Sequence, residues 1–368
     1  MYKSLFPTAQ AQTYLDSAAE GLPARCVFDA LEEYWREKSR GTIGRQRHYE
    51  VQGEAEAAVA TLLGAAKDDV VLLSNTSDAL NLVASGLDWR PGDEVLIGDL
   101  EFPSNVVVWL RLRERGVRLI VVPSSHGETR LEDWASRINE RTRVVSVSQV
   151  SYKSGTQMPF LRELSAEAHR AGVLFVVDAT QALGRVPVHV EGVDFLVASS
   201  YKWLLATHGL GVVHCAPALR ELLQTATAGW YSAKTVFHPE RFSVYTPKAS
   251  AGSLQAGMPN FPAIYALNAS VRFLLEVGVE RLDAQLKPLV ERLRAGLAAQ
   301  GRELLTPPGA EYASGIVSFA DAAPEELMAR LGRSGVVVWG GDGRVRASVH
   351  LYNDDGDVDR YLNALQES

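Results

Sequence analysis

Cysteine is almost missing from this 368-residue chain, which has only Cys26 and Cys215. Two thiols make neither a disulfide framework nor a zinc site, and Cys215 ends the apolar run "GVVHC", which suits a buried structural thiol better than a nucleophile. Long apolar runs are also lacking. None approaches the ~20 residues of a membrane span, and the first residues, "MYKSLFPTAQAQTYLDSAAEG", hold no apolar core of an export signal. The cytoplasm is therefore the expected location, with no membrane partner and no metal. Positive charge is in deficit: 37 Lys and Arg against 44 Asp and Glu leave a net charge of −7, which argues against a general nucleic-acid binder. The basic cluster "RGTIGRQRH" (40–48) is short and interrupted by glycines, and reads as a solvated or intersubunit loop. No G-x-G-x-x-G joins an early strand to a helix, and no Walker lysine is present, so a nucleotide-binding domain becomes the weaker reading.

What is present is the composition of a soluble globular protein, 46% hydrophobic and 22% charged, long enough for two subdomains. Residues 24–39 and 49–64 have the helical repeat. From about residue 70, short apolar runs alternate with helix-like pieces: "VVLLS" (70–74), "EVLIG" (94–98), "RLIVVP" (118–123), "RVVSVSQV" (143–150), "VLFVVD" (173–178) and "DFLVAS" (194–199). Near-continuous apolar strands separated by helices predict an α/β fold with a mostly parallel sheet covered on both faces. The expected organisation is a large α/β domain over 20–245 and a connecting segment over 246–261. A smaller α+β domain would be built from 1–19 and 262–368, with strands at 315–320, 335–339 and 344–348 and a last helix from 355.

Ligands of open α/β sheets bind beyond the carboxyl ends of the strands, so the residues there carry the functional reading. The first run is followed by Asn75, Thr76 and Ser77 at a helix start, where a hydroxyl can cap the helix and backbone N–H groups suit a phosphate. The second is followed by Phe102, an aromatic ring at the same rim. Asp178 ends a wholly apolar run, an expensive place for a carboxylate without a cationic partner. Lys202 follows "FLVASSY" at the next strand end. Phosphate anchor, ring, acid and amine together suit pyridoxal 5'-phosphate, whose aldehyde takes a lysine and whose pyridine nitrogen takes a carboxylate.

In these residues the chain resembles the class V aminotransferase family of fold-type I pyridoxal-phosphate enzymes, which includes cysteine desulfurases, selenocysteine lyase, kynureninase and isopenicillin N epimerase. The resemblance runs through "YLDSAAEGLP" (14–23), "NTSDALNLVA" (75–84), "EFPSN" (101–105), "VSYKSGTQMP" (150–159), "VVDATQALG" (176–184), "SSYKWL" (199–204), "GMPNF" (257–261) and "VRASVHLYND" (345–354). It implies that Lys202 is the Schiff-base lysine and shuttles the Cα proton, and that Asp178 pairs with the pyridine nitrogen. It further implies that Gln181 reaches the phenolic oxygen, that Thr76, Ser77, Ser199 and Tyr201 hold the phosphate, and that Phe102 stacks on the ring. Arg346 would grip the substrate's α-carboxylate, since a guanidinium fork matches it. A homodimer with active sites at the interface is implied as well.

The chain departs from the desulfurase pattern in one informative place. Desulfurases carry a catalytic cysteine on a loop before the "RAS"-like strand, whereas "GVVVWGGDGRVRAS" (335–348) is short and has none. Trp339 stands where that pattern often has a second arginine, Phe102 where it has histidine, and Met258 where many members have threonine. The expected activity is thus carbon–sulfur β-elimination from an amino acid through a Cα carbanion. Transamination and epimerisation use the same residues and stay open, as does a degenerate binding or sensor protein. Tyr152, Trp230, Trp339 and His350 are candidates for reading the substrate's side chain.

Overall fold

The computed structural model describes residues 2–223 and 226–367. Among the described residues, twelve strands form three sheets. Strand β1 is Thr13–Tyr14, and β2 (Val70–Leu73), β3 (Glu94–Gly98), β4 (Arg118–Val122), β5 (Thr142–Ser148), β6 (Leu174–Asp178), β7 (Phe195–Ser199) and β8 (Gly211–Cys215) follow. After two long helices come β9 (Ile316–Ala320), β10 (Val336–Val337), β11 (Trp339–Gly341) and β12 (Arg344–Ser348). Strands β2 to β8 make one seven-stranded sheet in the order β2-β8-β7-β6-β5-β3-β4. All of its neighbours are parallel except β8, which runs antiparallel to both β2 and β7.

Apolar side chains on both faces of each strand explain why this sheet is central. Phe175 and Val177 of β6 join one core cluster while Val176, between them, joins the other. Leu196 and Val197, and Val212 and Val213, divide in the same way. Period-two alternation with both faces apolar is what a sheet between two layers of helices requires. One layer includes the helices Thr76–Gly86 and Ser104–Leu110, and the other includes Leu161–Arg170. Helices Phe261–Val277 and Val279–Ala299 meet at Gly278, whose φ of 78° ends the first. They lead to the antiparallel sheet β11-β12-β9, while β1 pairs in parallel with β10.

Some expectations needed correction. The apolar run 211–215 is a sheet strand that the alternating pattern did not single out, because it follows β7 through a loop rather than a helix. The segment 104–115, between β3 and β4, is α-helical to Leu110 and then tightens to 3-10 geometry up to Gly116, which has φ 79°. The basic cluster at 40–48 is not a loop. Its second half begins the helix Arg45–Leu63, where Arg47 pairs with Glu33 at 2.9 Å and Glu54 at 2.6 Å. Cys215 is buried and its thiol is pushed up to about 12 by desolvation, as befits a structural cysteine. Among the described residues no helix is long and apolar enough to cross a membrane.

Candidate active site

The carboxyl ends of β5, β6 and β7 and the start of the helix Thr76–Gly86 surround a cleft. Thr76, Ser77, Phe102, Asp178, Gln181, Ser199, Tyr201 and Lys202 all line it, so eight of the nine expected site residues share one cavity. Tyr152 lines it too, but Trp230, Trp339 and His350 do not.

Lys202 is only 7% exposed. Its Nζ lies 5.2 Å from the centre of the Phe102 ring and 5.6 Å from that of Tyr201. Burial first, and then the Arg346 charge, pull its amine down to about 8, with Asp178, Glu20 and Asp16 opposing. An amine so poised loses its proton near neutrality, as a nucleophile or a proton carrier must. Two distant glycines permit the turn that presents it. A Cβ on Gly21 would lie 1.8 Å from the Lys202 carbonyl oxygen, and one on Gly184 would lie 2.5 Å from that of Trp203. Leu205, at φ 58°, closes the turn by donating its N–H to Lys202 O at 3.0 Å.

Asp178 is 5% exposed and forms no ion pair among the described residues. Its Oδ1 accepts the Thr180 N–H at 2.8 Å, while burial raises its pKa. Thr180 also takes the Ser199 N–H on Oγ1, so one hydroxyl residue ties the ends of β6 and β7 together. Beneath it, Glu101 accepts from Ser148 N at 2.7 Å and from Asn105 at 2.8 Å. Burial pushes that carboxyl up to about 7, with Asp178 adding to the rise.

The helix start differs in detail from the expectation. Asn75, not Thr76 or Ser77, is the cap, accepting the Asp78 N–H at 2.8 Å. The first N–H groups of the helix therefore keep facing the cleft end without intrahelical partners. Ser77 Oγ donates to Ser104 Oγ at 2.9 Å, and Tyr201 stacks on His208 at 4.3 Å, which pairs with Glu20 at 3.1 Å. Gln181 is half committed: Oε1 accepts from Trp203 and Nε2 donates to Ala18 O at 3.0 Å, which leaves one amide N–H. Phe102 is partly exposed and meets Tyr152 edge-on at 5.1 Å.

Arg346 is the expected residue outside the cleft wall. It adjoins the wall through Tyr152, donating from Nη1 to its carbonyl at 3.0 Å. Its guanidinium lies 5.1 Å from the centre of the Trp339 ring, and Arg344 lies 4.7 Å from that ring. His350 sits in the core, bonded to Trp203 O at 3.0 Å, with its pKa lowered to about 3 by burial. Met258 opens into a neighbouring depression with Asp78 and Asn260. Sequence reading passed over Thr180, Ser148, Glu101 and Asp16. Only Thr180 left a signal, a hydroxyl two residues after a buried aspartate.

These residues fit pyridoxal phosphate. Asp178 and Lys202 are both buried, neither forms an ion pair among the described residues, and the helix start offers donors to the same cleft. Comparisons with known proteins agree. The family profile described as Aminotransferase class-V matches residues 13–361. A probable cysteine desulfurase of Methanothermobacter thermautotrophicus is 30% identical over 98% of this chain and 96% of its own length. One of Pseudomonas aeruginosa is 34% identical over 98% and 94%. The apo structure of a cysteine desulfurase from Thermococcus onnurineus NA1 superposes with a TM-score of 0.92 at 26% identity, covering 100% of this chain and 96% of that one. The chain belongs to the class V aminotransferase family and is a pyridoxal-phosphate-dependent enzyme.

Proposed function

We propose that the enzyme is a carbon–sulfur lyase that eliminates the side-chain sulfur of a free amino acid, with cysteine and cystine as the first substrates to test. The observation that carries this reading is the turn between β11 and β12. Asp342 and Gly343, at φ 48° and 70°, close a two-residue hairpin, and Trp339 pairs directly with Arg346. The hairpin has no cysteine to accept sulfur, so sulfur would leave to solvent instead of onto the protein. Relatives named as cysteine desulfurases, at 30% and 34% identity, support sulfur amino acids as the substrate class.

Bound pyridoxal phosphate would supply the electron sink for charge developing at the substrate's Cα. Lys202 would hold the cofactor and carry the Cα proton, its neutral amine favoured by burial and by Arg346. Asp178 would hold a proton on the pyridine nitrogen, and Thr76, Ser77, Ser199 and Tyr201 would bind the phosphate. Phe102 would cover one ring face, and the remaining Gln181 N–H would reach the phenolic oxygen. Arg346 would orient the α-carboxylate. As the Cβ–S bond breaks, sulfur takes the electron pair; with one water, cysteine gives pyruvate, ammonia and hydrogen sulfide. Cystine gives pyruvate, ammonia and cysteine persulfide. Phe237 and Phe242, 89% and 87% exposed, support a second copy as partner in a cytoplasmic homodimer.

The test is the holoenzyme with cysteine or cystine and no keto acid. Pyruvate and ammonia should appear in equal amounts. Turnover that requires a keto acid would make it an aminotransferase, inversion of an intact amino acid an epimerase, and failure to take up cofactor a binding protein.

A further inference from the structure

Two charged side chains near Lys202, Arg346 buried and Asp16 partly buried, face each other without closing a hydrogen bond. Nη2 of Arg346, on β12, lies 3.8 Å from Oδ1 of Asp16, in the segment after β1. Their side chains are 5% and 15% exposed. Arg346 Nε and Asp16 Oδ1 are each buried with no hydrogen-bond partner. Charged groups in a dry setting normally close to hydrogen-bond distance, because an unmade bond is most expensive there. Here both backbones are anchored apart. Asp16 bridges to Ser348, and its carbonyl accepts from Ala19 and Glu20, both at 3.0 Å. Arg346 is held by the Tyr152 carbonyl and the Trp339 ring.

We propose that Asp16 is a resident counter-ion of Arg346 that a ligand's carboxylate displaces, with uptake of one proton from solvent by the Asp16 carboxylate. The proposal rests on the reading of Arg346 as the carboxylate site. A carboxylate placed between the two groups would accept from the guanidinium on one side and from the protonated Asp16 on the other, satisfying both open atoms. The charged and titratable groups facing Asp16 are Arg346, Lys202, Glu20, Tyr14 and Tyr352. Burial pushes the Asp16 carboxyl up to about 6, with Glu20 adding to the rise and Arg346 and Lys202 opposing it. Below that pH the neutral acid leaves the Arg346 charge to the ligand. Above it, ionised Asp16 competes for the guanidinium and repels the incoming anion. The site therefore selects free amino acids over their amides and esters, and binds them with a pH dependence that Asp16 sets.

The experiment uses the cofactor-loaded enzyme and propionate, a carboxylate with no amine to react. Binding is followed by titration calorimetry in two buffers of different ionisation enthalpy and by the change in cofactor absorbance. Wild-type affinity should fall about tenfold per pH unit above about 6, with proton uptake approaching one per propionate near pH 7.5. In Asp16→Asn the affinity should be flat from pH 6 to 8, tighter than wild type at pH 8, and without proton uptake. Glu20→Gln should keep the wild-type slope. Arg346→Gln should not bind propionate at any pH, and wild-type binding there would refute the carboxylate site itself. If Arg346→Gln loses binding while Asp16→Asn keeps the wild-type slope, the counter-ion role alone is refuted. Should Asp16→Asn not fold, absence of proton uptake by the wild type near pH 7.5 is enough to overturn it.

Discussion

Two regions bury opposite charges, and they treat them differently. Between the loop after β6 and the helix Val279–Ala299, Arg185 is wholly enclosed and donates to Asp283 at 2.8 Å and to Val349 O at 3.1 Å, while Lys287 takes the other Asp283 oxygen at 3.2 Å. Around the cleft, Lys202 and Asp178 form no ion pair among the described residues, and Arg346 and Asp16 stop at 3.8 Å. The first region closes its ion pair within the fold, joining segments about a hundred residues apart, although Arg185 Nη2 is left without a hydrogen-bond partner. The second is held open by backbone anchors and by Thr180, leaving charges for a ligand to satisfy. Burial alone does not mark a functional charge. Burial without a closed ion pair does.

Substitutions on either side sharpen this contrast. The largest effect is expected from Lys202→Ala, which should abolish turnover and the visible absorbance that appears on adding pyridoxal phosphate, with the unfolding midpoint in urea little changed. Arg185→Met should do the opposite. It removes the buried partner of Asp283, leaving only the half-exposed Lys287 beside it, and should lower stability by about 3–5 kcal/mol in urea unfolding. The double change Arg185→Met with Asp283→Leu should lose less, since the one charge left unpaired is the half-exposed Lys287. Asp178→Asn keeps the shape and the Thr180 bond but removes the charge, so kcat should fall roughly 10²–10³-fold with stability retained or raised. The smallest effect concerns pH. After cofactor removal, the rate of cofactor uptake should fall about tenfold per unit below about pH 8, as the Lys202 amine gains its proton. Arg346→Gln should move that midpoint upward, because the Arg346 charge is one cause of the depression.

Much of the sheet was readable from the chain because strands buried on both faces are apolar throughout, as in "FVV" and "FLVA". Strand β8 escaped because direction is not written in an apolar run: its antiparallel pairing with β2 and β7 comes from the loop that turns it back. Asp178 and Lys202 stood out since ionisable groups at the ends of apolar strands are costly. Thr180 and Ser148 did not, hydroxyls being common at strand ends. The cap at Asn75 was missed because Asn, Thr and Ser all serve in that position.

The sequence by itself determined the inventory: an α/β alternation, an amine and an acid at the ends of apolar strands, a hydroxyl-rich helix start and a short stretch without cysteine before the last strand. It determined these because side-chain periodicity and the cost of burying charge are local properties. Only the tertiary structure decided that Gly21 must pass beside the Lys202 carbonyl, that Arg185 closes on Asp283, and that Asp16 meets Arg346 without reaching it. Those distances depend on how remote segments pack, and in a low dielectric a gap of one ångström separates a finished ion pair from a site that awaits its ligand.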